Sequence, residues 1–300
     1  MDVRVGTAPI SWGICEIPGW GPQLPYTRVL DEISLAGYAG TELGPLGFLP
    51  QDPARLRDEL QSRDLVLAAA FVPLELSDPA CYEVCEQSVR KAAALLQGLD
   101  AREILLADAG DDWRRSIAGR PDLTICHGVP PDVWPGYVKR VVGLARLCTD
   151  VYGLRASFHP HGGSYVEHPK EIARLMDDTD PDTLWLCLDT GHVAFGGGDP
   201  VALAREYTAR IGHVHLKDVD LDRLHALLER GADYVTAARR GVFVELGAGS
   251  VDLPGIAAAL RLSGYRGWVV VEQDRVVDTS TKTLGSARHN RDAVRWLFDA

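Results

Sequence analysis

Short apolar runs rich in β-branched residues alternate, from one end of the chain to the other, with longer stretches whose apolar positions recur at helical spacing. The runs predict strands over residues 3–10, 39–43, 66–71, 103–107, 155–158, 184–188, 211–216 and 268–272. A strand buried on both faces reads as such a run rather than as an alternation, which is how a parallel sheet covered by helices announces itself. The stretches between predict helices over 27–36, 80–97, 134–152, 169–176, 200–211, 254–263 and 286–298. Several carry proline near the first turn, where its missing N–H is no loss. The Pro- and Gly-bearing stretches 44–53 and 120–131 predict loops over one mouth of the fold.

Eight strands alternating with helices over 300 residues give units of about 37 residues, close to what a closed (β/α)₈ TIM barrel needs. The rival, a doubly wound sheet, would carry a Gly-rich phosphate turn after its first strand, and Gly6-Thr7-Ala8-Pro9-Ile10 is not one. No low-complexity linker divides the chain, so residues 1–300 read as a single TIM-barrel domain. A 46% hydrophobic, 24% charged composition is that of a globular enzyme with one sizeable core.

Charge narrows the partners. A net charge of −11 repels phosphate backbones and anionic lipid, which argues against nucleic acid and membrane but not against a small neutral substrate. Met1-Asp2 leads straight into the first predicted strand without a basic, apolar leader, and no stretch approaches ~18 uninterrupted apolar residues, so a cytoplasmic protein is expected. The six cysteines show no zinc-finger or secreted-scaffold spacing, and Cys81 and Cys85, four apart on a predicted helix, are expected to be plain thiols. A homo-oligomer is left open.

The chemistry collects at the carboxyl ends of the last four strands, where a barrel builds its active site. These ends read Ser157-Phe158-His159-Pro160-His161, Cys187-Leu188-Asp189-Thr190-Gly191-His192, His213-Val214-His215-Leu216-Lys217-Asp218 and Val271-Glu272-Gln273-Asp274. Alternation along a strand puts His213, His215 and Lys217 on one face, and lets Asp189, His215 and Glu272 converge from neighbouring strands. Imidazole with carboxylate is a donor set for one divalent transition metal such as Mn²⁺, Co²⁺, Zn²⁺ or Fe²⁺. Isolated polar residues at such positions are commonly structural, but four at successive strand ends are costly to bury without a shared purpose. His127, His225 and His289 read as surface or loop residues, and His168 as structural.

The segments Leu188-Asp189-Thr190-Gly191-His192, His213-Val214-His215-Leu216-Lys217-Asp218 and Trp268-Val269-Val270-Val271-Glu272 resemble the xylose isomerase-like barrel superfamily. That group includes sugar epimerases, inosose isomerases and dehydratases, and endonuclease IV. The resemblance implies a metal held by residues ending strands five to eight, typically Glu, Asp, His and Glu. Asp189, His215 and Glu272 match the last three; His159 stands where the first glutamate is usual, and either His159 or His161 could serve there. Val5-Gly6-Thr7-Ala8-Pro9-Ile10-Ser11-Trp12-Gly13, His159-Pro160-His161-Gly162-Gly163-Ser164-Tyr165-Val166-Glu167 and Gly196-Gly197-Gly198-Asp199-Pro200 resemble the inosose (2-keto-myo-inositol) dehydratases more narrowly.

Such an enzyme removes a proton α to a ketone and expels a β-hydroxyl, the metal stabilising the enediolate. His192, Lys217, His213 and Glu42 are the acid–base candidates, with His192 favoured. Lys217 could instead pair with a carboxylate such as Glu245. His161 and Glu245 are expected at the substrate, with Trp12, Phe71 and Tyr165 as walls, and the resemblance implies a small extra strand and turn at Glu245–Gly249. Isomerisation or epimerisation on the same metal is the alternative. An endonuclease IV-like reading would need a basic face that this acidic chain lacks.

Overall fold

The computed structural model describes residues 3–277 and 282–298; Met1 and Asp2, expected to lead into the first strand, lie outside them. The strands are β1 (Val3–Thr7), β2 (Gly40–Thr41), β3 (Val66–Leu67), β4 (Ala69–Leu74), β5 (Glu103–Asp108), β6 (Arg155–Phe158), β7 (Trp185–Asp189), β8 (Ile211–Leu216), β9 (Asp218–Val219), β10 (Phe243–Val244) and β11 (Gly267–Val271). The main sheet runs β3-β2-β1-β11-β8-β7-β6-β5-β4, all parallel. β3 and β4 are one strand interrupted at Ala68, so the sheet's two ends are successive parts of the same strand and it closes on itself. β1 pairs with β11 over five residues, Val3 against Gly267 through Thr7 against Val271. The result is a (β/α)₈ TIM barrel. All six residues of β5 and of β8 are buried, as expected of strands walled in by helices on one side and by the barrel interior on the other.

The helices begin as the pattern predicts. Asp52, Asp111, Asp189, Asp199, Asp220, Asp233 and Asp252 each accept a first-turn backbone N–H, supplying the partner that a helix start lacks. His168 does the same for the helix Pro169–Asp177, with Glu171 reaching back to it, which accounts for this histidine structurally.

Several boundaries differ from expectation. β1 ends at Thr7 because Pro9 opens a 3₁₀ turn, Pro9–Trp12. β4 runs on through Pro73 to Leu74. The supposed loop at 120–131 contains the helix Pro121–Cys126, and Pro53–Gln61 is a helix as well. After β8 the chain leaves the barrel wall for residues 220–250: β9 pairs antiparallel with β10, and the helices Leu221–Leu228 and Tyr234–Arg239 lie between them. The extra strand, expected at Glu245–Gly249, thus lies just before it, at Phe243–Val244. No helix among the described residues is long and apolar enough to cross a membrane.

Candidate active centre

The strand ends β6, β7, β8 and β11 deliver His159, Asp189, His215 and Glu272 to one point. His159 Nε2 lies 3.1 Å from His215 Nδ1 and 3.4 Å from Asp189 Oδ2. His215 Nδ1 lies 3.5 Å from Asp189 Oδ2 and 3.1 Å from Glu272 Oε2. Four donors at ~2.0–2.1 Å from a tetrahedral ion would stand about 3.3–3.4 Å apart, so the spacing fits a first-row divalent metal. The helix Thr190–Phe195 explains how Asp189 comes to face inward: its Oδ1 caps that helix by accepting from His192 N at 2.8 Å. Its Oδ2 is left pointing into the cluster, buried and without a hydrogen-bond partner. A buried carboxylate oxygen in that condition suits a metal.

Glu42, just after β2, sits underneath. Its Oε1 lies 2.8 Å from His215 Nε2 and 3.0 Å from His213 Nε2. Burial would raise Glu42, but the two rings outweigh it and bring its pKa down to about 2, so it is a carboxylate that can only accept. His215 therefore donates from Nε2 and turns Nδ1 toward the cluster.

Beside the cluster lies a second polar group. Lys217 Nζ reaches Glu272 Oε2 at 2.9 Å, Asp274 Oδ1 at 2.9 Å, Asp189 Oδ2 at 3.2 Å and His192 Nε2 at 3.0 Å. Burial alone would favour a neutral amine, yet these carboxylates outweigh it and hold the ammonium. Gly191 makes room: a Cβ there would stand 2.5 Å from Lys217 Cγ. His192 stays neutral, pulled down by burial and then by His161 and Lys217. His161 stacks against it with ring centroids 4.0 Å apart.

A family model described as xylose isomerase-like TIM barrel matches residues 30–299. The chain belongs to that family. It is 35% identical over 272 residues to the inosose dehydratase of Geobacillus kaustophilus, covering 91% of this chain and 87% of that one. To the rhizopine catabolism protein MocC of Rhizobium meliloti it is 36% identical over 279 residues, covering 92% and 82%. Among solved structures, the IOLI protein with a binding zinc atom matches with a TM-score of 0.71 at 14% identity, over 99% of this chain and 98% of the other; this likeness is one of fold.

Within this xylose isomerase-like barrel, other expected site residues lie elsewhere. Trp12 is fully buried and donates from Nε1 to Glu32 Oε2 at 2.8 Å. Tyr165 turns outward, its hydroxyl 2.8 Å from Asp111 Oδ2, beside a cavity of about 420 Å³ lined by Trp134, Glu171 and Arg174. Glu245 is half-buried and acts on Arg275; the carboxylates on Lys217 are Asp189, Glu272 and Asp274 instead. Phe71 does reach the centre, its ring edge-on to His159 at 5.2 Å. His161 is grouped with His192 and Asp274 rather than with the four convergent donors. Two residues here were not foreseen. Asp274 follows Glu272 by two positions and so shares its side of the chain, a signal the sequence carries. Tyr234, from the excursion at 220–250, carries no such signal; its hydroxyl lies 3.1 Å from Asp274 Oδ2 and 3.4 Å from His161 Nε2.

Proposed function

We propose that the protein is a metal-dependent hydro-lyase that dehydrates a keto-inositol or a closely similar polyhydroxylated ketone. The observation that carries the reading is the convergence of His159, Asp189, His215 and Glu272 at metal-ligand spacing around the buried Asp189 Oδ2. Similarity to curated inosose dehydratases over most of both chains supports the substrate class. Two imidazoles and two carboxylates suit Mn²⁺, Co²⁺ or Zn²⁺ better than Mg²⁺ or Ca²⁺.

A divalent cation held by His159, Asp189, His215 and Glu272 would supply positive charge to stabilise the enediolate that forms when the C–H next to the ketone loses its proton. His192 is the group that carries that proton: it is neutral, adjoins Asp189 and contributes nothing to the four convergent donors. The β-hydroxyl departs with a proton as water, so the elimination balances. Lys217 sits among three carboxylates and the His192 ring and keeps the three negative charges together rather than acting as an acid or base. Glu42 and His213 lie below the cluster, out of reach of a substrate arriving at the barrel mouth, and hold His215 in its tautomer instead of transferring protons.

The test is incubation of the metal-loaded protein with 2-keto-myo-inositol and identification of the product by NMR and mass. Loss of one water per molecule is expected. A product of unchanged mass would move the enzyme to the isomerase or epimerase class, and no turnover with any of the three metals would overturn the reading.

A further inference from the structure

Hydrogen-bond accounting at the second polar group leaves one acceptor over. His161 Nδ1 lies 2.8 Å from the carbonyl oxygen of Gly162, which can only accept, so the ring's proton is on Nδ1. Nε2 is then a lone pair. It faces the hydroxyl of Tyr234 at a loose 3.4 Å, and that hydroxyl's single proton has a nearer acceptor in Asp274 Oδ2 at 3.1 Å. Asp274 is fixed in turn by Lys217 at 2.9 Å. An acceptor is thus held beside an aromatic cover, with one proton too few to satisfy it.

The surroundings are built closely. Phe71 lies 6.1 Å from the His161 ring, Tyr234 5.1 Å and Phe195 5.4 Å from Tyr234. A Cβ on Gly162 would stand 2.9 Å from the Tyr234 ring and 3.1 Å from Phe195, so only glycine lets this cover down. The His161 and His159 rings are 5.7 Å apart, so a ligand with a carbonyl at the convergent donors would place a group on a more distant ring carbon near His161.

We propose that His161 and Tyr234 form a subsite for one hydroxyl of the polyol, remote from the carbonyl, in which that hydroxyl donates to His161 Nε2. Tyr234, tied to Asp274, is the positioning residue that sets the cover over it. The inference rests on the polyol-dehydratase reading and names which part of the substrate this second group recognises.

The experiment compares 2-keto-myo-inositol with its monodeoxy analogues on the metal-loaded wild type, His161→Phe and Tyr234→Phe. In the wild type, deleting the matched hydroxyl lowers kcat/KM about 10- to 100-fold more than deleting its neighbours, because a buried acceptor is left unsatisfied. In His161→Phe that one preference disappears while the others remain, with metal content unchanged; in Tyr234→Phe it is weakened. A His161→Phe protein with the wild-type order of preference overturns the subsite. If the wild type fails to turn over the ketone, or His161→Phe fails to fold, calorimetric binding of myo-inositol and its monodeoxy analogues to the wild type and to Tyr234→Phe reads the same selectivity without chemistry. Equal binding of all of them by the wild type, or none, overturns the subsite, whereas selective binding without turnover overturns only the dehydratase reading.

Discussion

One oxygen of the Asp189 carboxylate caps a helix and the other faces the centre, so two substitutions separate the two tasks. Asp189→Ala should lose bound metal and activity, and also about 0.5–2 kcal/mol of stability with the cap. Asp189→Asn keeps a capping oxygen and should unfold near the wild-type denaturant concentration while still losing metal. Urea titration and elemental analysis check both; an Asn variant that held its metal through chelator dialysis would remove Asp189 from the proposed shell. His192 poses the complementary case. His192→Ala should retain metal and lose turnover by roughly 10²–10⁴-fold. Near-normal turnover would shift proton transfer to another group, and loss of metal would make His192 a ligand. Asp189, His215 and Glu272 could be named from sequence because each lies at the end of a strand that apolar residues announce. The choice between His159 and His161 could not, since it depends on where β6 stops, at Phe158.

The segment 220–250 shows what the pattern of elements conceals. Its helices Leu221–Leu228 and Tyr234–Arg239 span eight and six residues, too short for a periodicity to stand out, and the paired strands β9 and β10 have two residues each. It is held by Asp218, whose carboxylate accepts from the backbone N–H of Val219, Gly247, Gly249 and Val251 at 2.9–3.0 Å. The sequence places Asp218 one residue past Lys217; the structure gives it a turn to fasten. Asp218→Ala should speed amide exchange at Gly247, Gly249 and Val251 and loosen the cover that carries Tyr234, with turnover falling and metal content preserved. Unchanged exchange at those three amides would show that the turn holds itself. The barrel strands, by contrast, were legible almost throughout, because burial on both faces leaves them little but apolar residues.

At the scale of the whole molecule, pH acts first on carboxyls away from the centre. Glu167 is buried and accepts from Gly163 N at 2.5 Å and Gly119 N at 2.7 Å, and burial, opposed by those bonds, leaves its pKa raised to about 7. Asp108 is raised to about 6 by burial as well. A carboxyl whose folded pKa exceeds its unfolded value adds stability that is complete below the unfolded pKa and is lost as pH rises through the folded one. Stability should therefore decline between about pH 4.5 and pH 7, and Glu167→Gln should flatten that decline in urea midpoints taken across the range. A slope unaltered in the variant would show Glu167 ionised throughout. The acidic surface carries its own expectation: no incision of abasic duplex DNA at moderate salt, with metal-dependent cleavage there counting against a polyol substrate.

Closure of the barrel also governs how the chain is made. β1 finds its partner in β11, and the Thr7 hydroxyl bonds the carbonyl of Val271 across 264 residues. During synthesis, at ~5–20 residues per second, the first strand waits tens of seconds with one edge bare. Until β11 leaves the ribosome, neither the seam nor the four-residue cluster exists, since Glu272 arrives with that strand. Nascent chains stalled short of residue 267 should thus present an open sheet edge to chaperones and to one another. Slow, cool expression, which lengthens neither the loop to be closed nor its entropy but lowers the number of such chains present at once, should raise the soluble yield.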